Sequence, residues 1–152
     1  SHITLEHPSD DAHTLRLGKL GEKYGMKVGY HGHEQQTPTF WDTALKQSAA
    51  NALNLDLGHY VAAGNAGAVE FVSKMNKNIV SMHIKDRQTP ANGKGNLPWG
   101  QGDTPLKEVL QTMRSRKYSF PATIELEYKI PEGSNSVVEV RKCLEHCKQL
   151  LG

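Results

Sequence analysis

The sequence lacks several features that would assign it directly to a class of protein. It has no run of about 18 apolar residues, so we expect no membrane-spanning helix, and no signal peptide is visible at its start. Only 2 of its 152 residues are cysteines, Cys143 and Cys147, which excludes a disulfide framework and favours a reducing, cytoplasmic compartment. A net charge of +2, evenly spread, argues against nucleic acid as a partner.

The composition is that of one soluble globular domain. Hydrophobic residues make up 37% and charged residues 22% of a chain long enough for a sizeable core, and we treat residues 1–152 as a single domain. The first predicted strand is not followed by a GxGxxG motif, which disfavours a dinucleotide-binding fold. The unusual feature is the eight histidines, several of which cluster at the ends of predicted strands.

Short strand-like runs alternate with amphipathic helical segments along the chain. The predicted strands are residues 3–6, 27–31, 53–57, 79–84 and 122–128. The predicted helices are residues 11–24, 40–48, 66–75, 105–116 and 137–151. This order predicts an α/β fold of parallel (β/α) units with right-handed crossovers. A closed barrel of eight strands needs roughly 200 residues or more, so the chain is either a TIM barrel lacking its first three units or an open sheet.

Some details of these segments carry further expectations. In the first helix, Leu15, Leu17, Leu20 and Tyr24 form an apolar stripe. The segment 87–103 is rich in Gly and Pro and has no periodicity, so we expect a long loop there.

Polar side chains of the predicted strands share one face. Side chains alternate between faces along a strand, and in a barrel one face packs on the helices while the other faces the interior. In residues 53–57 the three leucines share a face, so Asn54 and Asp56 lie on the other. The same alternation places ionisable side chains opposite the helices near the strand ends, namely Glu6, His31, His33, Asp56, His83, Lys85, Glu125 and Glu127.

Barrel active sites lie at the carboxyl ends of the strands, where these side chains converge. A buried charge is costly without a partner, and a divalent metal is the simplest compensator for such a group. Carboxylates combined with imidazoles suit Mn²⁺, Co²⁺, Fe²⁺ or Zn²⁺ better than Ca²⁺. The alternative for any single residue is an ordinary hydrogen bond to a loop; the joint pattern over five strands favours a shared site.

Five segments in order, residues 28–34, 55–59, 82–87, 99–103 and 124–128, resemble the xylose isomerase-like TIM barrel superfamily. The similarity is greatest to its sugar phosphate isomerase/epimerase and inosose dehydratase-like members. It extends from about residue 3 to the C-terminus. It implies that the five strands are the fourth to eighth of a barrel.

The resemblance implies a metal site. In that family a Glu, an Asp, a His and a second Glu hold a divalent ion, here Mn, Co, Fe, Zn or Mg. Asp56, His83 and Glu125 match the last three, with Glu127 as an alternative to Glu125, and His31 stands at the first position. The family's epimerases exchange a proton through two metal-bound carboxylates, so His31 favours dehydratase or lyase chemistry over epimerisation.

The resemblance also implies roles in catalysis and substrate binding. The residues expected to move protons or polarise a carbonyl are Glu125, Glu127, His31 and Lys85. The residues expected to contact the substrate are Glu6, His33, His59, Arg87 and Trp99. The alternatives are metal binding or a helix-entry hydrogen bond for His59, an ion pair of Lys85 with Asp86 or Glu125, and a purely connecting role for the loop 99–103.

The resulting hypothesis is a metal-dependent isomerase or epimerase that moves a proton next to the carbonyl of a ketose, polyol or keto-sugar, phosphorylated or not. Expulsion of a β-hydroxyl would make it a dehydratase. A noncatalytic sugar-binding relative is a further alternative, and the low net charge disfavours an endonuclease IV-like phosphodiesterase. Because open barrel edges are sticky, we expect either a missing N-terminal segment, supplied by another chain or lost, or self-association.

Overall fold

A computed structural model describes the chain from Ser1 to Gly152 as strands and helices in alternation. The strands are β1 (His2–Glu6), β2 (Lys27–His31), β3 (Asn51–Asp56), β4 (Ile79–Ile84) and β5 (Ala122–Ile124). The helices are α1 (Asp11–Tyr24), α2 (Asp42–Gln47), α3 (Leu57–Ala62), α4 (Ala68–Met75), α5 (Leu106–Ser115) and α6 (Ser136–Leu151). None of these helices combines the length and the apolar character needed to span a membrane.

The five strands form one parallel sheet in the order β1-β2-β3-β4-β5, curled into a half-barrel. This confirms the predicted α/β fold and the incomplete barrel. The register sets strand ends side by side, because Glu6 pairs with His31 and Asp56 pairs with His83. The carboxyl ends of four strands therefore meet along one rim.

One face of the sheet packs on the helices to form the core. Leu53 and Leu55 of β3 are fully buried there, in the same cluster as Trp41, Phe71 and Met82. Alternation along β3 consequently turns Asn54 and Asp56 to the opposite, interior face, as the pattern predicts.

Two elements differ from the prediction for identifiable reasons. The helix α3 starts directly after β3 because the side chain of Asp56 caps it, with Oδ1 accepting from the backbone N–H of His59 at 2.7 Å. The strand β5 ends at Ile124, four residues earlier than expected. Its only neighbour is β4, which ends at Ile84, so the chain beyond Glu125 has no strand to pair with.

The apolar stripe of α1 faces the core only in part: Leu17 packs against the core cluster, and Leu15 is half-buried. The buried residues of α1 are Thr14, Gly18 and Gly21, while Leu20 and Tyr24 are 46% and 66% exposed. The helix approaches its neighbours so closely that a Cβ at Gly18 would lie 2.5 Å from the Cβ of Ser48. The small face therefore packs inward, and Leu20 and Tyr24 of the stripe are left exposed.

Candidate active site

The interior rim brings together side chains from three neighbouring strands. His31 ends β2, Asp56 ends β3 and His83 lies near the end of β4. One potential ligand atom from each of the three lies within 4.8 Å of the others. The predicted convergence of these residues on one point is thus present in the structure.

Asp56 is the most buried member of this group, with a relative exposure of 0%. While its Oδ1 caps α3, its Oδ2 is buried without a hydrogen bond of good geometry and lies 3.9 Å from His83 Nδ1. Burial, reinforced by the neighbouring Glu125, raises the pKa of Asp56 to about 7. The cation that lies against this oxygen is the ammonium of Lys85, whose Nζ is 2.9 Å away.

His83 and Glu125 form the adjoining side of the site. His83 Nδ1, also buried and without a hydrogen bond, lies 3.4 Å from Glu125 Oε2. The carboxylate of Glu125 raises the pKa of His83 above its usual value. Although burial opposes it, hydrogen bonds with His83, Asp56 and Lys85 hold the pKa of Glu125 well below its usual range, so this group is a carboxylate.

Lys85 bridges three carboxylates at the floor of the site. Its Nζ lies 2.9 Å from Asp56 Oδ2, 2.9 Å from Glu125 Oε2 and 2.7 Å from Glu127 Oε2. Its side chain is only 2% exposed, and although burial opposes it, these three carboxylates raise the pKa of Lys85. Of the two ion pairs expected for Lys85, the one with Glu125 is present.

His31 is oriented by a residue that the sequence did not assign to the site. Its Nδ1 lies 2.7 Å from Oδ1 of Asn54, whose amide nitrogen donates to Ser81 Oγ at 2.7 Å. With Nδ1–H donating to Asn54, the lone pair of Nε2 is free. Burial lowers the pKa of His31, which favours the neutral imidazole that binds metals.

Arg87 and His59 form a hydrogen-bonded pair next to Asp56. Arg87 is 6% exposed and donates to His59 Nδ1 at 2.6 Å and to Glu34 Oε1 at 2.7 Å. Burial, followed by the charges of Lys85 and Arg87, lowers the pKa of His59 to about 3. His59 is consequently neutral.

The remaining predicted residues divide into two groups. His33 and Glu6 lie at the open side of the rim, with Nδ1 and Oε2 3.4 Å apart, and share a small cavity with His31, His83 and Glu125. Trp99 lies outside this cavity, with its ring centroid 6.5 Å from that of His146 in α6.

The loop that carries Trp99 is held by hydrogen bonds to Asp86, a role that the sequence pattern does not predict. Asp86 accepts hydrogen bonds from the backbone N–H groups of Gly100, Gly102 and Thr104 at 2.8, 2.9 and 3.2 Å. An acidic residue next to a Gly-rich segment is the signal that would have indicated this.

These residues fit a divalent cation. His83 Nδ1 is buried without a hydrogen bond, Asp56 Oδ2 is buried with the ammonium of Lys85 at 2.9 Å but no hydrogen bond of good geometry, and the lone pair of His31 Nε2 is free. Once Asp56 is ionised, the carboxylates of Asp56, Glu125 and Glu127 exceed the single ammonium of Lys85 by two negative charges, which one divalent ion would balance. Imidazole and carboxylate donors suit Zn²⁺, Mn²⁺, Co²⁺ or Fe²⁺.

A parallel (β/α) half-barrel with a metal-capable rim defines the class of this protein, and sequence comparison gives its family. The family profile described as xylose isomerase-like TIM barrel matches residues 13–149. The chain therefore belongs to the xylose isomerase-like TIM barrel family, as its motifs predict. Among curated proteins, no sequence matches it significantly.

Solved structures share the fold at low sequence identity. A xylose isomerase domain protein from Planctomyces limnophilus is 21% identical with a TM-score of 0.77, and the match covers 98% of this chain and 59% of that one. The IolI protein with a binding zinc atom is 17% identical with a TM-score of 0.72, covering 99% and 63%. The probable 3-DHS dehydratase AsbF from Bacillus anthracis is 17% identical with a TM-score of 0.67, covering 90% and 55%. The chain thus spans about three fifths of the length of these proteins.

Proposed function

We propose that this chain is the C-terminal part of a divalent-metal-dependent isomerase or epimerase acting on a ketose, polyol or keto-sugar. The observation that carries the proposal is the convergence of His31, Asp56 and His83 within 4.8 Å, with Glu125 beside them, at the carboxyl ends of parallel strands. The family assignment and the zinc atom of the similar IolI protein support it.

His31 Nε2, Asp56 Oδ2 and His83 Nδ1 would hold the ion, and Glu125 would complete the ligand set. When bound there, a divalent ion supplies Lewis acidity that lowers the pKa of the C–H group next to a substrate carbonyl.

Glu127 is the residue we propose as the base that takes the proton from that carbon. Unlike Glu125, it makes no contact with His83 or Asp56; its Oε2 is held at 2.7 Å by Lys85 Nζ. Its side chain is 35% exposed, so it reaches the open side of the site where a substrate enters. The ammonium of Lys85 orients the carboxylate for proton transfer.

Dehydration is the second candidate reaction. Exchange of a proton from opposite faces of a carbon needs two basic groups, and His31 occupies the position at which the family has one of its two carboxylates. Elimination of a β-hydroxyl group needs a base that takes the proton from the carbon and an acid that protonates the leaving oxygen. Glu127 would be the base, and one of the imidazoles at the rim would be the acid. The probable 3-DHS dehydratase AsbF shows that a protein with this fold is described as a dehydratase.

The rest of the barrel belongs to the same proposal. Strands β1 and β5 are the edges of the sheet, and apolar side chains are exposed on β1 and on the helix that follows it, including Ile3, Leu20 and Tyr24. We propose that three further strand–helix units, from a preceding segment or a second chain, pair with these edges. The two free, buried thiols of Cys143 and Cys147 fit a cytoplasmic location.

Deuterium exchange tests the proposed chemistry without knowledge of the product. Candidate ketoses and keto-sugars are incubated with the protein in heavy water, with added Zn²⁺ or Mn²⁺ or with a chelator, and NMR follows the C–H signal next to the carbonyl. We expect metal-dependent exchange that Glu127→Gln abolishes while metal binding persists. Exchange that is insensitive to chelator would contradict the proposal, and so would full activity of Glu127→Gln.

A further inference from the structure

Three imidazoles at the rim approach one another closely enough to resemble a second cation site. One nitrogen each from His31, His33 and His59 lies within 4.8 Å of the other two. The hydrogen bond that His59 accepts decides what this side chain offers to a ligand.

Arg87 is the donor in that hydrogen bond, from Nη1 to Nδ1 of His59 across 2.6 Å. A guanidinium has no acceptor and stays protonated in proteins, so Nδ1 must be the unprotonated nitrogen. The imidazole then carries its single proton on Nε2. An imidazolium is incompatible with this contact, because both of its nitrogens are donors.

The guanidinium is fixed in this orientation by Lys94 of its own loop and by Glu34, which follows β2. Its Nη2 donates to Glu34 Oε1 at 2.7 Å and to the carbonyl oxygen of Lys94 at 2.6 Å, and its Nε donates to the same carbonyl at 3.2 Å. Lys94 in turn donates from Nζ to Glu34 Oε2 at 2.9 Å. Arg87 therefore meets protein partners on every side and has little freedom to release His59.

We infer that Arg87 is a positioning residue that fixes His59 as a hydrogen-bond donor to the site and so excludes it as the ligand of a second cation. A metal-binding nitrogen needs a free lone pair, and neither nitrogen of His59 has one. His31 is the opposite case, because Asn54 accepts from its Nδ1–H and leaves Nε2 free. The two imidazoles thus have complementary roles, one as ligand and one as donor.

The Nε2–H group of His59 lies near the carboxylate of Asp56. His59 Nε2 lies 3.9 Å from Asp56 Oδ2, which is too far for a direct hydrogen bond. A hydroxyl group between the two atoms would accept from Nε2–H and donate to the carboxylate oxygen. This placement of a substrate hydroxyl rests on the proposed function; the tautomer of His59 does not.

Nitrogen-15 NMR of the histidine side chains tests the inference directly. We expect His59 of the wild-type protein, in the presence of chelator and near neutral pH, to show a protonated Nε2 and an unprotonated Nδ1. Arg87→Met should shift the Nδ1 resonance of His59 and mix its tautomers. Glu34→Gln is the matched control, since it alters the same arginine cluster but leaves the contact to His59, and it should preserve the wild-type tautomer.

Zinc stoichiometry provides the second measurement. We expect one zinc ion per chain in the wild type and in His59→Gln, with His59 retaining its Nε2–H form after zinc is added. A protonated Nδ1 in the wild type would overturn the inference, as would a second zinc equivalent lost in His59→Gln. The wild-type spectrum remains decisive even if Arg87→Met does not fold, and a failure of zinc to bind would contradict the proposed function while the tautomer is still read.

Discussion

Lys85 and Asp56, from neighbouring strands, form a fully buried ion pair in which Nζ lies 2.9 Å from Oδ2. Replacement of Lys85 by methionine keeps the length of the side chain but leaves Asp56, Glu125 and Glu127 without their shared cation. We expect a loss of about 3 kcal/mol in the free energy of unfolding, at the low end for a broken buried pair because the two glutamates are partly exposed. Urea titration in the presence of chelator measures this loss.

The matched control for Lys85→Met is Lys142→Met. Lys142 also pairs with a carboxylate, that of Glu139 at 2.8 Å, but its own side chain is 62% exposed. We expect this variant to lose less than about 1 kcal/mol. Equal losses in the two variants would show that the bridge at the floor of the site does not stabilise the fold.

Metal binding is expected to release a proton. Since burial raises the pKa of Asp56 to about 7, the carboxyl is largely protonated below that pH, and a divalent ion must displace the proton. Zinc affinity should therefore rise with pH up to about 7 and change little above it. Calorimetry in buffers of different ionisation enthalpy counts the protons; a proton count of zero below neutral pH would contradict this expectation.

The hydrogen bonds to Glu139 of α6 predict a pH dependence of stability that lies outside the candidate site. Lys142, Ser134 and Tyr128 all bond to the carboxylate of Glu139 and lower its pKa from 4.5 to about 2. A depressed pKa contributes stability that is complete above the unfolded value of 4.5 and disappears as pH falls through about 2. We expect Glu139→Gln to flatten the acid side of the stability profile.

Thermal unfolding between pH 5 and pH 2 measures this effect. The control is Glu145→Gln, which removes an exposed carboxylate paired with Lys148 on the same helix. It should leave the slope unchanged. A wild-type slope in Glu139→Gln would mean that the pairing of this carboxylate contributes nothing to stability.

The sequence predicts the strands and their interior faces well because alternation in β3 and β4 is a local property of the chain. The burial of Leu53 and Leu55 opposite Asp56 follows directly from it. The inward face of α1 was not predictable in the same way. Gly18 and Gly21 pack inward because Ser48 and Ala50 approach them closely, and these contacts depend on the tertiary structure.

The residues of the candidate site also divide into those that a local pattern predicts and those whose role depends on tertiary contacts. Asp56, His83 and Glu125 were found from strand parity, whereas the role of Asn54 depends on its hydrogen bond to His31 on a neighbouring strand. Arg87 has the predicted proximity to the site, but its bond to His59 joins residues 28 positions apart and is invisible in the sequence.

The most direct test of the account is a zinc titration of the wild type, of Asp56→Asn and of Asp11→Asn, with circular dichroism confirming that each is folded. Asparagine still caps α3, Lys85 keeps Glu125 and Glu127 as partners, and Asp11 is an exposed carboxylate in the first turn of α1. We predict one zinc ion per chain in the wild type and Asp11→Asn, and an affinity more than about a hundredfold weaker in Asp56→Asn. Unchanged stoichiometric zinc binding by Asp56→Asn would contradict the metal site.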